Sequence, residues 1–172
     1  MQAEKLALEE KLRLKLRICP SEKEFRDLIG LEAYNNIRDT VVIKEKCTCR
    51  GCGYHPLNEA NVLKSLSLHV ESIDTENPLN SPCSLLCMAC HSTQHIDVAI
   101  EKGWVQLVNS SYSQKRLIET CRINGHSNLN PDNTRFLKTP PLEYLEKLKN
   151  NTLSPNSRVK VLFTASFHWG DL

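Results

Sequence analysis

A chain of 172 residues, 40% hydrophobic and 24% charged, can bury a modest core, which excludes a disordered or fibrous protein. No apolar run reaches the roughly eighteen residues that span a bilayer, so no membrane partner is expected, and the charged opening Met1-Gln2-Ala3-Glu4-Lys5 is unlike a secretory signal; cysteines that must stay reduced make an intracellular (cytoplasmic or nuclear) protein the expectation. The net charge of +2 permits nucleic-acid binding without demanding it, so any basic footprint must be local.

Residues 2–17 are rich in helix formers, yet Leu12, Leu14, Leu16 and Ile18 alternate with Lys and Arg, so a helix fading into a strand or turn is expected. Cys19-Pro20 ends it. Ser21 and Glu24 form a capping box that opens a helix with Phe25, Leu28 and Ile29 on one face. Val41-Val42-Ile43 reads as a short strand. Leu66-Ser67-Leu68-His69-Val70 alternates as a strand does, and Asn77 to Pro82 is a loop by its turn chemistry. A helix is expected after Cys90, carrying His91, His95 and Ile96 and ending near Gly103. Trp104 to Val108 reads as a strand, Ser113 caps a further helix, and Asn124 to Thr134 is loop. Thr139-Pro140-Pro141-Leu142 starts a helix to about Asn150, with proline in its first turn, and Val159 to Thr164 is the last strand.

The eight cysteines are the informative feature, because six of them fall between 47 and 90. Cys49-Arg50-Gly51-Cys52 and Cys87-Met88-Ala89-Cys90 both have the C-x-x-C spacing, which puts two thiolates on one tight turn about 2.3 Å from a common tetrahedral zinc. Gly53 lets the chain turn away after the first pair. Structural zinc on Cys49, Cys52, Cys87 and Cys90 is therefore expected. A disulfide, or buried free thiols, is the plainer alternative, and a thioredoxin-like redox motif lacks its βαβ context. Cys47 competes with Cys49, but four residues between Cys47 and Cys52 would need a wider turn. Cys19, Cys83 and Cys121 are most simply buried apolar residues.

His69 lies on the strand between the two cysteine pairs, while His91 and His95 are spaced i, i+4 after the second pair, a spacing that on a helix lets both imidazoles reach one ion or phosphate. The run Cys49-x-x-Cys52-Gly53, Leu66-Ser67-Leu68-His69, Asn77-Pro78-Leu79-Asn80, Leu85-Leu86-Cys87-x-x-Cys90-His91-x-x-x-His95 resembles the HNH nuclease family over about residues 47 to 96, under a third of the chain. The resemblance implies an α+β fold: a small zinc-stapled ββα-metal core of the treble-clef kind with mainly helical flanks. It further implies that the strand histidine acts at the scissile phosphate, that His91 and His95 hold a catalytic divalent metal (Mg²⁺, Mn²⁺ or Zn²⁺), and that a loop asparagine braces the hairpin. The sequence departs from the family pattern twice. The strand carries His69 followed by Val70 where the family has two polar residues, so His69 is either the base, with Leu68 in the ligand position, or the ligand, with Val70 in the base position; the base is favoured. The loop asparagine, Asn80 or Asn77, must serve through a shift, because five residues before Cys87 stands Pro82.

These readings give one domain over 1–172, with a helical flank at 1–46, the zinc-stapled core at 47–103 and an α/β extension at 104–172. The expected function is metal-dependent endonucleolytic hydrolysis of double-stranded DNA, by His69, Asn80, His91 and His95, in a chain that could also pair as a homodimer. The alternative is a non-catalytic treble-clef zinc module that binds nucleic acid or a protein. Lys11, Arg13, Lys15 and Arg17, like Lys115 and Arg116, suit a solvated face as well as a DNA contact, and Trp104 and Tyr112 suit packing. His69-Val70-Glu71 followed by Pro82-Cys83 resembles the zinc deaminase signature, but Cys83 to Cys87 is one residue too long for its C-x-x-C half.

Overall fold

The computed structural model describes residues 16–56, 65–124, 134–137, 141–150 and 159–163, so the expected helix over 2–17 and the loop over 124–134 lie almost wholly outside the described residues. The elements are α1 (Glu22–Ile29), α2 (Leu31–Lys44), β1 (Leu66–Val70), a 3₁₀ turn (Pro78–Asn80), β2 (Cys83–Cys87), α3 (Met88–Gln94), α4 (Ile96–Glu101), β3 (Val105–Ser110), α5 (Gln114–Asn124), β4 (Thr134–Phe136), α6 (Pro141–Lys149) and β5 (Val159–Phe163). Helices with small sheets make this an α+β chain, and among the described residues no helix is long and apolar enough to cross a membrane. The described residues divide into two compact units, one running from Cys19 to His91 and the other holding residues 16–18 and the described residues from Ser92 to Phe163.

In the first unit α1 starts as the sequence dictates. Glu24 N–H donates to Ser21 Oγ at 3.1 Å and Ser21 N–H to Glu24 Oε2 at 3.0 Å, satisfying two helix-end donors at once. Phe25 is fully buried, but Leu28 is 55% exposed, so the apolar face of α1 is narrower than expected. Gly30 separates the two helices at φ +86, a backbone setting that side chains with a Cβ rarely adopt. Glu22 accepts a hydrogen bond from the Tyr34 hydroxyl, which ties α1 to α2, and burial raises the Glu22 carboxyl above its usual range against the pull of Arg26 and Arg38.

The strand expected at Val41-Val42-Ile43 is instead the last turn of α2. Tyr34 and Val41, two turns apart, form the buried face, while Ile43 is 77% exposed, so helical packing overrides the β preference of three branched residues. Cys47 N–H reaches the Val42 carbonyl at 3.0 Å and Lys46 N–H the Ile43 carbonyl at 3.1 Å, a Schellman-type end that puts Lys46 and Cys47 in the left-handed region at φ +52 and +54. β1 and β2 then form an antiparallel hairpin in the register Leu66↔Cys87, Leu68↔Leu85, Val70↔Cys83, with α1 packed on β1 and α2 on β2.

The second unit is a three-stranded antiparallel sheet in the order β4-β3-β5, with α5 packed on β5 and α4 on β3. The strands expected at 104–108 and 159–164 are β3 and β5, the helix from Ser113 is α5, and that from Pro141 is α6; β4 was not foreseen. Ser113 caps α5 by accepting the Arg116 N–H at 3.2 Å. Val108, Leu117, Cys121 and Leu162 form a core cluster with Tyr112 packed against it. Arg116 stacks on Tyr112 at 4.2 Å, Lys102 lies 4.9 Å over Trp104, and Lys115 pairs with Glu119 at 3.7 Å, so these aromatics and basic groups engage one another.

β5 is an edge strand, and the side chain of Gln114 completes it. Gln114 Nε2 donates to the Val161 carbonyl and Val161 N–H donates to Gln114 Oε1, both at 2.9 Å and both buried. Gln114→Ala would strand both backbone groups and is expected to lower unfolding stability by about 2–4 kcal/mol in denaturant titration. Lys46→Gly, which relieves a left-handed residue at the end of α2, is expected to raise it by about 0.5–1 kcal/mol in the same assay.

Candidate functional site

Two features of the first unit converge on the strand-to-helix step at Cys87. The first is the cysteine cluster. Cys49, Cys52, Cys87 and Cys90 are buried, and their Sγ atoms all lie within 4.8 Å of one another. Cys49-x-x-Cys52 sits on a tight turn in which Gly53 N–H donates to the Cys49 carbonyl and Cys49 N–H to the Tyr54 carbonyl, both at 2.8 Å. Gly53 lies at φ +78, where a glycine lets the chain leave the turn. Arg50 N–H donates to the Leu85 carbonyl at 2.9 Å and Cys87 N–H points at Cys49 Sγ at 3.2 Å, so the turn is hydrogen-bonded to β2.

The donor set fits a tetrahedral metal. A tetrahedron with bonds of about 2.3 Å has sulfur–sulfur edges of about 3.8 Å, and the Cys52–Cys87 separation is 3.7 Å. The thiols of Cys49 and then Cys52 push Cys87 upward, and Cys49, Cys52 and Cys87 together push Cys90 upward. At Cys49 the neighbouring Cys52 pushes the thiol up, but hydrogen bonds from Cys87 and Cys90 together outweigh it and leave the thiol below its ordinary range. Four buried thiols at this spacing could hold a structural metal such as zinc, which would accept the charge that the thiols cannot jointly carry. Cys47 stays outside the cluster, with its carbonyl taken by His55 Nδ1–H at 3.0 Å.

The second feature is a pair of imidazoles on the other face of the hairpin. Side chains alternate along a strand, so Leu66, Leu68 and Val70 share one face of β1 while Ser67 and His69 share the other. His69, opposite Ser84, is 1% exposed. α3 lays His91 over this face: the His69 and His91 ring centroids are 5.3 Å apart with their planes at 74°, and a ring nitrogen of each lies within 4.8 Å of the other. Ser67 Oγ is 2.6 Å from His91 Nδ1.

The expected single helix after Cys90 is corrected in two respects. It begins earlier, at Met88, and is interrupted at His95, whose backbone at φ −121, ψ 54 pairs with Ile18 before α4 resumes. The spacing between His91 and His95 is therefore not that of one continuous helix. Burial lowers the His95 imidazole pKa, with Asp97 opposing. Asn80 is exposed on the 3₁₀ turn, where its backbone N–H donates to the Asn77 carbonyl at 2.9 Å, and further hydrogen bonds tie this loop. Asp74 Oδ1 accepts the N–H groups of Glu76 and Asn77 at 3.0 Å each, and Ser81 Oγ accepts the Asp74 N–H at 3.0 Å. Sequence reading placed Ser81 in this loop but gave Asp74 no part in its turn, although Asp74 three positions before Asn77-Pro78 is a recognisable turn signal.

Cys83, the partner of Val70, is half-buried, and burial pushes its thiol up to about 11. Its thiolate fraction at pH 8 is then roughly a hundredfold below that of an unperturbed cysteine, so iodoacetamide should label it about that much more slowly and accelerate as the pH rises toward 11. Peptide mass spectrometry of the native protein over pH 7–10 checks this. No protein-family model, curated protein or solved structure matches the chain, so its function is read from the chemistry of its own side chains.

Proposed function

We propose that this chain is a metal-dependent endonuclease of the HNH type, hydrolysing phosphodiester bonds in double-stranded DNA on a treble-clef core that a structural Zn²⁺ holds through Cys49, Cys52, Cys87 and Cys90. The observation that carries this reading is the imidazole pair, His69 on the hairpin and His91 on the helix directly after the fourth cysteine. His69 and His91 offer two imidazole donors side by side, a composition suited to a divalent ion and a proton acceptor together.

Phosphodiester hydrolysis needs a proton acceptor for water, positive charge at the phosphoryl oxygens and help for the leaving oxygen. His69 is the proton acceptor: a ring nitrogen takes the proton from the attacking water, a role open to imidazole near neutral pH. By the resemblance, His91 and His95 would hold the divalent cation (Mg²⁺, Mn²⁺ or Zn²⁺), which when bound supplies the charge. Burial in the hairpin restricts the direction of the His69 ring. Val70 faces the Leu68 side and offers nothing on the imidazole face, which favours His69 as the base.

Plasmid nicking with Mn²⁺ or Mg²⁺ tests the proposal. Wild-type protein carrying about one zinc per chain should nick supercoiled DNA, and His69→Ala should lower the rate at least about a hundredfold while keeping that zinc. A chain that retains zinc and binds DNA but never cleaves it, with any divalent metal, would instead be the non-catalytic zinc module.

A further inference from the structure

The hydroxyl of Ser67 is the one polar group of β1 besides His69 on the imidazole face, and it meets His91 Nδ1 at 2.6 Å. A neutral imidazole carries one proton on its two nitrogens. Whichever nitrogen binds a cation must offer a lone pair, so the other must hold the proton and find an acceptor for it. Nδ1 already faces a hydroxyl oxygen, so Nε2 is the nitrogen left to ligate. The opposite tautomer, with Ser67 O–H donating to Nδ1, would put the proton on Nε2 and close it to a metal.

On the metal-dependent reading of this site, on which the idea rests, we propose that Ser67 is a positioning residue for His91: its oxygen accepts the His91 Nδ1–H and so fixes Nε2 as the metal-binding nitrogen. The assignment gives β1 two tasks. Ser67 and His69 are two residues apart, so the pleat that aims the base also aims the hydroxyl that orients the ligand. Because Leu66 is paired with Cys87, the register that delivers Ser67 to His91 is set next to the cysteine cluster.

The test uses the zinc-loaded full chain. Long-range proton–nitrogen NMR should show His91 as the Nδ1–H tautomer in the wild type. Mn²⁺ titration followed by electron paramagnetic resonance should show a Kd about 10–100-fold weaker in Ser67→Ala, with Ser67→Thr, which keeps the hydroxyl and suits a strand, recovering most of the affinity. Zinc content should stay unchanged in both variants, which separates a loss of positioning from a loss of fold. An Nε2–H tautomer in the wild type, or a Ser67→Ala chain that binds Mn²⁺ as tightly as the wild type, overturns the role of Ser67 and leaves the nuclease reading standing. A wild-type chain that takes up no Mn²⁺ overturns the metal-dependent reading and Ser67's role together.

Discussion

The meeting of four cysteine sulfurs at the end of β2 is the constraint on which the first unit depends. A hairpin of two five-residue strands is marginal by itself. This one is backed by α1 and α2 and tied to the Cys49–Cys52 turn through Arg50 N–H to the Leu85 carbonyl and Cys87 N–H to Cys49 Sγ. Cys87 is at once the last residue of β2, the partner of Leu66 and a member of the cluster. A slip of one residue in β1 would exchange the faces of Leu68 and His69, burying an imidazole among leucines and turning a leucine toward His91. Anchoring Cys87 opposes that slip at the point where it would do most harm.

β1 separates the two kinds of chemistry by parity. Its even positions, Leu66, Leu68 and Val70, supply apolar surface, and its odd positions, Ser67 and His69, supply polar groups. The valine at position 70 fits this division. A histidine at 70 would have pointed to the leucine side of the strand, so the imidazole face loses nothing by having a valine there. Val70 is almost wholly buried, and a charged or imidazole side chain in its place would have to find a partner in an apolar setting.

Local chemistry was the legible part of the sequence. The Ser21–Glu24 capping box, the Ser113 cap, the alternating strands β1, β3 and β5, and the two C-x-x-C pairs are each set by residues close together in the chain, and each appears where expected. What was missed depends on distant partners. β4 is three residues long and exists by pairing with β3, and the last turn of α2 buries Val41 on the same face as Tyr34 in a helix packed on β2, which overrides local propensity. The helix expected through His95 stops there because the backbone pairs with Ile18, more than seventy residues away in sequence. Ser67 was invisible for the same reason: nothing in Leu-Ser-Leu-His distinguishes a serine that faces water from one that meets an imidazole.

The choice between Cys47 and Cys49 shows how backbone geometry decides what spacing left open. Four intervening residues argued against Cys47, but only weakly, since metal turns of several lengths exist. The stronger reason lies in how α2 ends. Its terminal carbonyls are satisfied by the N–H groups of Lys46 and Cys47, which forces both residues into the left-handed region although neither is glycine. Such strain persists only where the surroundings over-determine it. Here the determinants are the end of α2 on one side and, on the other, the His55 Nδ1–H that holds the Cys47 carbonyl. Cys47 is therefore spent on turning the chain out of the helix. Two residues later Cys49, released from that turn, can face Cys52 across the knuckle and accept the N–H of Cys87. The sulfur nearer the helix is excluded by what its own backbone must do.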